Sequence, residues 1–259
     1  MKKLLFVLLL VLVIIAVVFG ALAFSGRNQS DSVNAKDAAK LVGSDTATND
    51  MDVADRPKAG TYTYTGTGTE SVDFLSGSSH TFPKQISAVV DLDTKNDCNW
   101  TANVVFVKQH VEERKYCTKH GRMTDRGFTL EIEFFNILQE TKYTCPDDAE
   151  RLRTEAVQGD TWRWTCTSGT TAKTDYVATS LGMETLSIGG EDVETWHTRV
   201  ASKQSGVTVG SATADFWHAK SGLTVKFTND FNIRTESLAG KTGFKEKESY
   251  TLDSLDPAV

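Results

Sequence analysis

The side chains that could do chemistry begin with four cysteines, Cys98, Cys117, Cys145 and Cys166. Their number is even, and in an oxidising compartment they read as two disulfides. Three pairings are open. Cys98–Cys117 with Cys145–Cys166 is preferred, because each bond then closes one local excursion of the chain. Such a loop stabilises by about 3 kcal/mol, mainly by restricting the unfolded state. Zinc is the other use of four thiols. No C-x-x-C pair and no nearby H-x-x-x-H spacing supports it.

The histidines are His80, His110, His120, His197 and His218. His197 and His218 come close if their strands pair, and with Glu184 or Asp215 such a pair could bind a metal. The simpler reading places them on strand faces. Glu112, Glu113, Glu131 and Glu133 could supply paired carboxylates for acid–base work. Glu131 and Glu133 fall on the outer face of an alternating strand, where solvated charge belongs. G-x-S-x-G, H-E-x-x-H and G-x-x-x-x-G-K-[ST] are all absent. The run Gly66-Thr67-Gly68-Thr69-Glu70 is rich in glycine but follows a strand, with no helix N-terminus to hold a phosphate. The expectation is a protein with no catalytic residues, no metal and no cofactor. Asn28 and Asn99 begin glycosylation sequons, which matter only in a eukaryote.

The aromatic residues say more. Five tryptophans accompany thirteen phenylalanines. Most belong to a core, but bulky side chains on the concave face of a curved sheet can leave an apolar cavity. That cavity is expected among Trp100, Phe106, Phe134, Trp164 and Trp217. A slip of one residue in register would reverse each facing.

Strands must position these groups. Thr61 to Thr65 alternates aromatic and β-branched residues until Gly66 and Gly68 interrupt it. His80 to Asp93 carries Ile86, Ala88, Val90 and Leu92 on one face. Cys98 to Val107 does the same with Trp100, Ala102, Val104 and Phe106, and His110 to Cys117 is its charged partner. Phe128 to Leu138 alternates cleanly, with Phe128, Leu130, Ile132 and Phe134 inward. Pro146 to Gln158 is expected to be a helix, capped by Asp147 with Glu150 three residues on, and stopped by Gly159. Strands resume at Thr161. Gly189-Gly190 marks a hairpin between Thr174–Ile188 and Val193–Lys203. A turn at Lys220-Ser221-Gly222 and a last strand from Phe244 to Leu252 complete the chain. Ten or eleven strands with one or two short helices predict a mainly β fold: a single antiparallel curved sheet, closed as a half-barrel or barrel.

One stretch decides where this domain lives. Leu4 to Phe24 is an unbroken apolar run of 21 residues behind Lys2 and Lys3. As a helix it would be about 31 Å long, one hydrocarbon thickness. It reads as an uncleaved transmembrane anchor over residues 1–24. The alternative is a signal peptide, cleaved near Ala21-Leu22-Ala23. Either reading exports the remainder, into the cell envelope or the medium. Ser25 to Pro57 is polar and free of aromatics, and is expected to be a disordered stalk, with room for a short frayed helix at Ala35 to Val42. Residues 58–255 form the exported β domain. A net charge of −6 with both signs interspersed argues against a nucleic-acid partner and leaves the membrane, through residues 4–24, as the expected one.

Three segments carry a resemblance: Gly60-Thr61-Tyr62-Thr63-Tyr64, the hairpin Glu184 to Val200, and Asp215-Phe216-Trp217-His218-Ala219-Lys220-Ser221-Gly222-Leu223-Thr224-Val225-Lys226. The last resembles the strand–turn–strand signature of the LolA-like superfamily of periplasmic lipoprotein carriers. The whole is also similar to anchored exported proteins of high-GC Gram-positive bacteria. The resemblance implies a half-barrel whose concave face holds an acyl chain, a lipid or a lipidated partner, with no enzymatic activity. It departs from that pattern in having a single expected helix to cover the cavity.

Overall fold

Alternation of period two carries most of the chain into strands. The computed structural model describes residues 29–44, 56–73, 77–237 and 240–258. Among the described residues one helix, α1 (Ala35–Leu41), precedes the strands. They run β1 (Gly60–Val72), β2 (Ser78–Thr81), β3 (Gln85–Leu92), β4 (Asn99–Val107), β5 (His110–Lys119), β6 (Arg122–Phe134) and β7 (Ile137–Thr144). Then follow β8 (Glu150–Arg153), β9 (Thr161–Ser168), β10 (Ala172–Ile188), β11 (Glu191–Gly206), β12 (Thr208–His218), β13 (Thr224–Ser237) and β14 (Gly240–Leu252). Each strand of the wall pairs antiparallel with its neighbours, and β14 returns to β1, with Tyr64 opposite Leu252 and Val72 opposite Phe244. Twelve strands therefore close a barrel, with β2 and β8 attached to it through β1 and β6. The open half-barrel implied by the resemblance is corrected to a closed one. Closure removes the edges that an open sheet must otherwise protect.

The outer face is polar. Arg163, Lys173, Arg199, Lys203, Asp230, Lys245 and Lys247 are exposed there. A barrel that crosses a bilayer shows the reverse, an apolar band outside. Among the described residues no helix is long and apolar enough to cross a membrane. The expected anchor, Leu4 to Phe24, lies outside those residues.

Three sequence expectations change. Pro146 to Gln158 is not a helix. Glu150–Arg153 is a short strand paired with Arg122–Thr124 of β6, and Trp162 Nε1 donates to the Glu150 carbonyl at 2.7 Å. Tertiary pairing outweighs the Asp147 cap, and Leu152 is buried in the barrel core. Phe128 to Leu138 is not one strand. Phe135 and Asn136 take φ of 57° and 59°, so the chain reverses there in a two-residue hairpin. Finally, of the expected stalk only residues 29–44, 56 and 57 are among those described, and the short helix allowed at Ala35 to Val42 is docked on the barrel rather than frayed. Asn34 caps α1, accepting from the Asp37 N–H at 2.9 Å. Ala38 is buried on the outward side chains of Val89 and Val105, and Asp31 exchanges hydrogen bonds with Lys108 and Gln109 at the β4–β5 turn. Small apolar residues at helical spacing bury enough surface here to dock the segment.

The disulfides are Cys98–Cys117 and Cys145–Cys166. The second lies at a thin seam of the wall, where β7 and β9 share one residue pair, Thr144 opposite Thr167. Gly189 and Gly190, at φ of 61° and 87°, make the expected hairpin turn.

Candidate ligand-binding cavity

A cavity of about 150 Å³ lies inside the barrel. Its apolar wall comes from inward positions of neighbouring strands: Trp100 and Phe106 of β4, Phe128 and Leu130 of β6, Ala214 and Phe216 of β12, and Phe227 of β13. One end is sealed by side chains around β8. Met123, Leu152, Trp100 and Tyr116 are buried together there, Trp100 Nε1 donates to Thr118 Oγ1 at 2.9 Å, and Trp196 Nε1 donates to the Thr154 carbonyl at 2.9 Å.

Of the five aromatics expected at the cavity, Trp100 and Phe106 line it. Trp164 stands one layer back, stacked at 4.9 Å on Tyr176, which does line it. Phe134 sits at the end of β6, stacked on His80 at 4.3 Å, and takes no part in the wall. Trp217 is on the other face of its strand. Ala212, Ala214 and Phe216 point inward, so Trp217, one residue on, points out. There it stacks on His197 at 4.0 Å, lies under Lys226 at 4.3 Å and donates to Glu184 Oε2 at 2.8 Å. The same one-residue step separates the two histidines considered as a metal pair. His197 is outside, between Glu184 at 2.6 Å and Asp215 at 3.2 Å. His218 is fully buried inside, neither ring nitrogen hydrogen-bonded. Burial, then the Arg151 charge, lowers its pKa to about 3, so it stays neutral.

Toward the other end the lumen is charged. Glu70 of β1, His80 of β2, His110 and Glu112 of β5, and Glu246 and Glu248 of β14 converge, with Arg114 beside them and Asn229 of β13 between the last two. Glu70 accepts from His80 Nδ1 through one oxygen and from His110 Nδ1 at 2.8 Å through the other. Burial opposes ionisation of Glu70, but the two histidines outweigh it and lower its pKa. Burial likewise opposes the His110 charge, and the surrounding carboxylates overcome it, Glu70 foremost, so that His110 titrates well above the usual imidazole range. Arg114 donates through Nε and Nη2 to one oxygen of Glu112, at 3.1 and 3.0 Å. With His110 it overcomes burial and holds Glu112 at a pKa of about 2. Each cation in this end is thereby matched to a carboxylate.

Glu246 and Glu248 have no such match. Asn229 Nδ2 donates to both, at 2.8 and 3.3 Å, and Glu248 Oε2 is buried with no hydrogen-bond partner. His110 Nδ1 stands 3.7 Å from Glu246 Oε2. Burial raises the Glu246 pKa to about 7, and raises Glu248 well above the carboxylate range with the Glu246 charge adding to it. Glu70, His110 and Glu246 bring ligand-type atoms within 4.8 Å of one another, the geometry a metal ion requires. Both Glu70 oxygens and His110 Nδ1 are already hydrogen-bonded, so a metal would have to break that network. The floor holds a second buried pair, Arg151 Nη1 with Asp125 Oδ2 at 3.5 Å, Arg151 also lying over the Phe216 ring at 4.2 Å. Burial raises Asp125, and Arg151 only partly offsets it.

Sequence reasoning placed Glu112 beside Glu113 and passed over Glu70, Glu246 and Glu248. A signal was there. Glu70 is in phase with Tyr62 and Tyr64, and Glu246 and Glu248 with Phe244, Tyr250 and Leu252. The glycines earlier considered as a phosphate cradle serve packing instead. A Cβ on Gly68 would meet the Phe82 ring at 2.5 Å and Glu248 Cβ at 3.0 Å.

No known family matches the chain, and no curated protein does. Among solved structures it is similar to the hypothetical lipoprotein YmcC from Escherichia coli K12. The identity is 12%, the match covers 75% of this chain and 90% of that one, and the TM-score is 0.34. It is also similar to a provisionally named lipoprotein from Parabacteroides distasonis, with 8% identity, 77% and 96% coverage, and a TM-score of 0.32.

Proposed function

We propose that this barrel is a non-enzymatic binding module of the cell envelope that takes up a small hydrophobic group, such as the end of one acyl chain, from a lipid or a lipidated partner. The observation that carries the reading is the cavity of about 150 Å³ inside a closed wall, apolar over most of its lining with a few convergent polar groups. An engineered apolar cavity of that size takes up benzene. A single chain end or a ring therefore fits, and a whole diacyl lipid does not. Export is supported by the two disulfides, which persist in oxidising compartments. Anchoring rests on the apolar run Leu4 to Phe24.

The test uses the full-length chain in amphipol, with titrations at two amphipol concentrations to separate uptake of the polymer's alkyl grafts from binding of the probe. Titration with 1-hexanol should quench the tryptophan fluorescence to a 1:1 end point, and Ala214→Phe, which fills the space, should abolish the response. A wild-type chain that binds no hexanol, and from which organic extraction recovers no apolar molecule, would overturn the reading. In that case the barrel is a filled structural or interaction module.

A further inference from the structure

We infer that the acidic end of the cavity is a recognition site for the ammonium group of a small amphiphilic amine, its apolar part lying against Phe106 and Phe227. This rests on the ligand-binding reading above and names its ligand class. Four carboxylates face this end of the lumen, and the protein itself supplies two strong cations. His110 is engaged by Glu70 at 2.8 Å, and Arg114 by Glu112 at 3.0 Å. Glu246 has at 3.7 Å only a His110 ring that Glu70 already engages, and it shares with Glu248 the Asn229 amide and a hydrogen bond between the two carboxyls. Both line the cavity, both are more than nine-tenths buried, and Glu248 Oε2 has no hydrogen-bond partner. A buried carboxylate oxygen without a donor is costly, and a ligand that brings the donor recovers that cost. An alkylammonium offers three N–H donors and a positive charge on a compact head. A carboxylate head would meet two acids and no unmatched cation. At the opposite end Arg151 is paired with Asp125 at 3.5 Å, and its buried Nε, which has no hydrogen-bond partner, is where a carboxylate head would compete. The volume of about 150 Å³ limits the apolar part to a short chain or one ring.

Three probes of one length separate the possibilities: hexylamine, 1-hexanol and hexanoate, titrated into the full-length chain in amphipol at pH 8. A charge-assisted hydrogen bond contributes roughly 1.5–3 kcal/mol. Hexylamine should therefore bind at least about tenfold more tightly than hexanol, with hexanoate weakest. In the isosteric double variant Glu246→Gln/Glu248→Gln the amine should lose that advantage while hexanol binds as before. The inference is overturned if hexanoate binds as tightly as hexylamine, or if hexylamine is no tighter than hexanol. In either case binding of hexanol leaves the cavity's function standing. If none of the three binds, this inference fails, and if organic extraction also recovers no apolar molecule the function proposed above fails with it. Should the double variant not fold, the ranking of the three probes on the wild-type chain still decides.

Discussion

The two ends of the lumen are built on opposite terms. Around β8, Trp100, Met123 and Leu152 exclude water through apolar contact. At the other end, Glu70, His80, His110, Glu112, Arg114, Glu246 and Glu248 are as well buried or nearly so, but are held by charge and hydrogen bonds. Apolar packing is tolerant, because a lost contact costs the area and the cavity it leaves. A buried charge network is not, because removing one member strands another. The comparison teaches that both ends hold the barrel together but by different means, so that pH acts on one end and not on the other.

The largest effect should come from breaking the charged end at its centre. Glu70→Ala removes the acceptor shared by His80 and His110 and leaves both buried without it. Removing one partner of a buried ion pair costs about 3–5 kcal/mol. Leu152→Ala, at the apolar end, should cost about 2–5 kcal/mol. The two are told apart by pH rather than size. In denaturant titrations at pH 5 and pH 8, the Leu152→Ala loss should be the same. The Glu70→Ala loss should be larger at pH 5, where His110 is charged and its partner is gone.

Next comes the pH dependence of the wild-type chain. Glu246 is faced by Glu70 from β1, His110 and Glu112 from β5, Asn229 from β13 and Glu248 from its own strand. Its pKa, near 4.5 in the unfolded chain, is raised by burial to about 7 in the fold. A raised folded value means that the native state holds the proton longer. Stability is therefore fully present below about pH 4.5 and lost as pH rises through 7. Glu248 and His110, both raised, act in the same direction. Glu70 and Glu112, both lowered, act oppositely, and their contribution is lost as pH falls below the usual carboxylate range. The stability maximum should thus lie on the mildly acidic side. Glu246→Gln should flatten the fall between about pH 4.5 and 7 by about 3 kcal/mol. An unchanged slope between pH 5 and 8 would show that another group drives it.

The two ends also differ in how far they could be read from residues alone. The apolar end was legible. Ile86, Ala88 and Val90 of β3, and Trp100 of β4, mark one face at period two, and the structure buries that face. The charged end has the same period but the opposite polarity. A Glu in phase with Tyr62 or Tyr250 looks outward-facing when charge is assumed to be solvated, and what reverses it is a partner on another strand. His80 and His110 reach Glu70 only because β2 and β5 are brought to β1. The helix expected at Pro146–Gln158 failed for a related reason: its local cap was sound, and pairing with β6 overrode it. Trp217 failed on a single residue of facing.

A smaller effect tests whether the charged end has room to spare. Gly68 faces the lumen between Phe82 and Glu248. Gly68→Ala would press a methyl group on the Phe82 ring, an overpacking that costs about 1–3 kcal/mol. A neutral result in thermal melts would mean that β2 can move away from β1, and that the acidic end is looser than its hydrogen bonds imply.

The smallest effect reverses the sign. Glu131 lies on the outer face of β6, directly opposite Glu140 of β7. Like charges across an antiparallel pair repel, and in solvent the penalty is about 0.2–1 kcal/mol. Glu131→Gln should therefore stabilise the barrel slightly, and 0.5 M salt should erase the gain by screening. The same residue type thus costs several kcal/mol to remove at Glu70 and yields a few tenths at Glu131. Position relative to the wall, inside or outside, accounts for the difference. If Glu131→Gln were instead destabilising by more than 1 kcal/mol, the outer face would hold a charge network of its own. The contrast between a solvated exterior and a partnered interior would then have to be redrawn along β6 and β7.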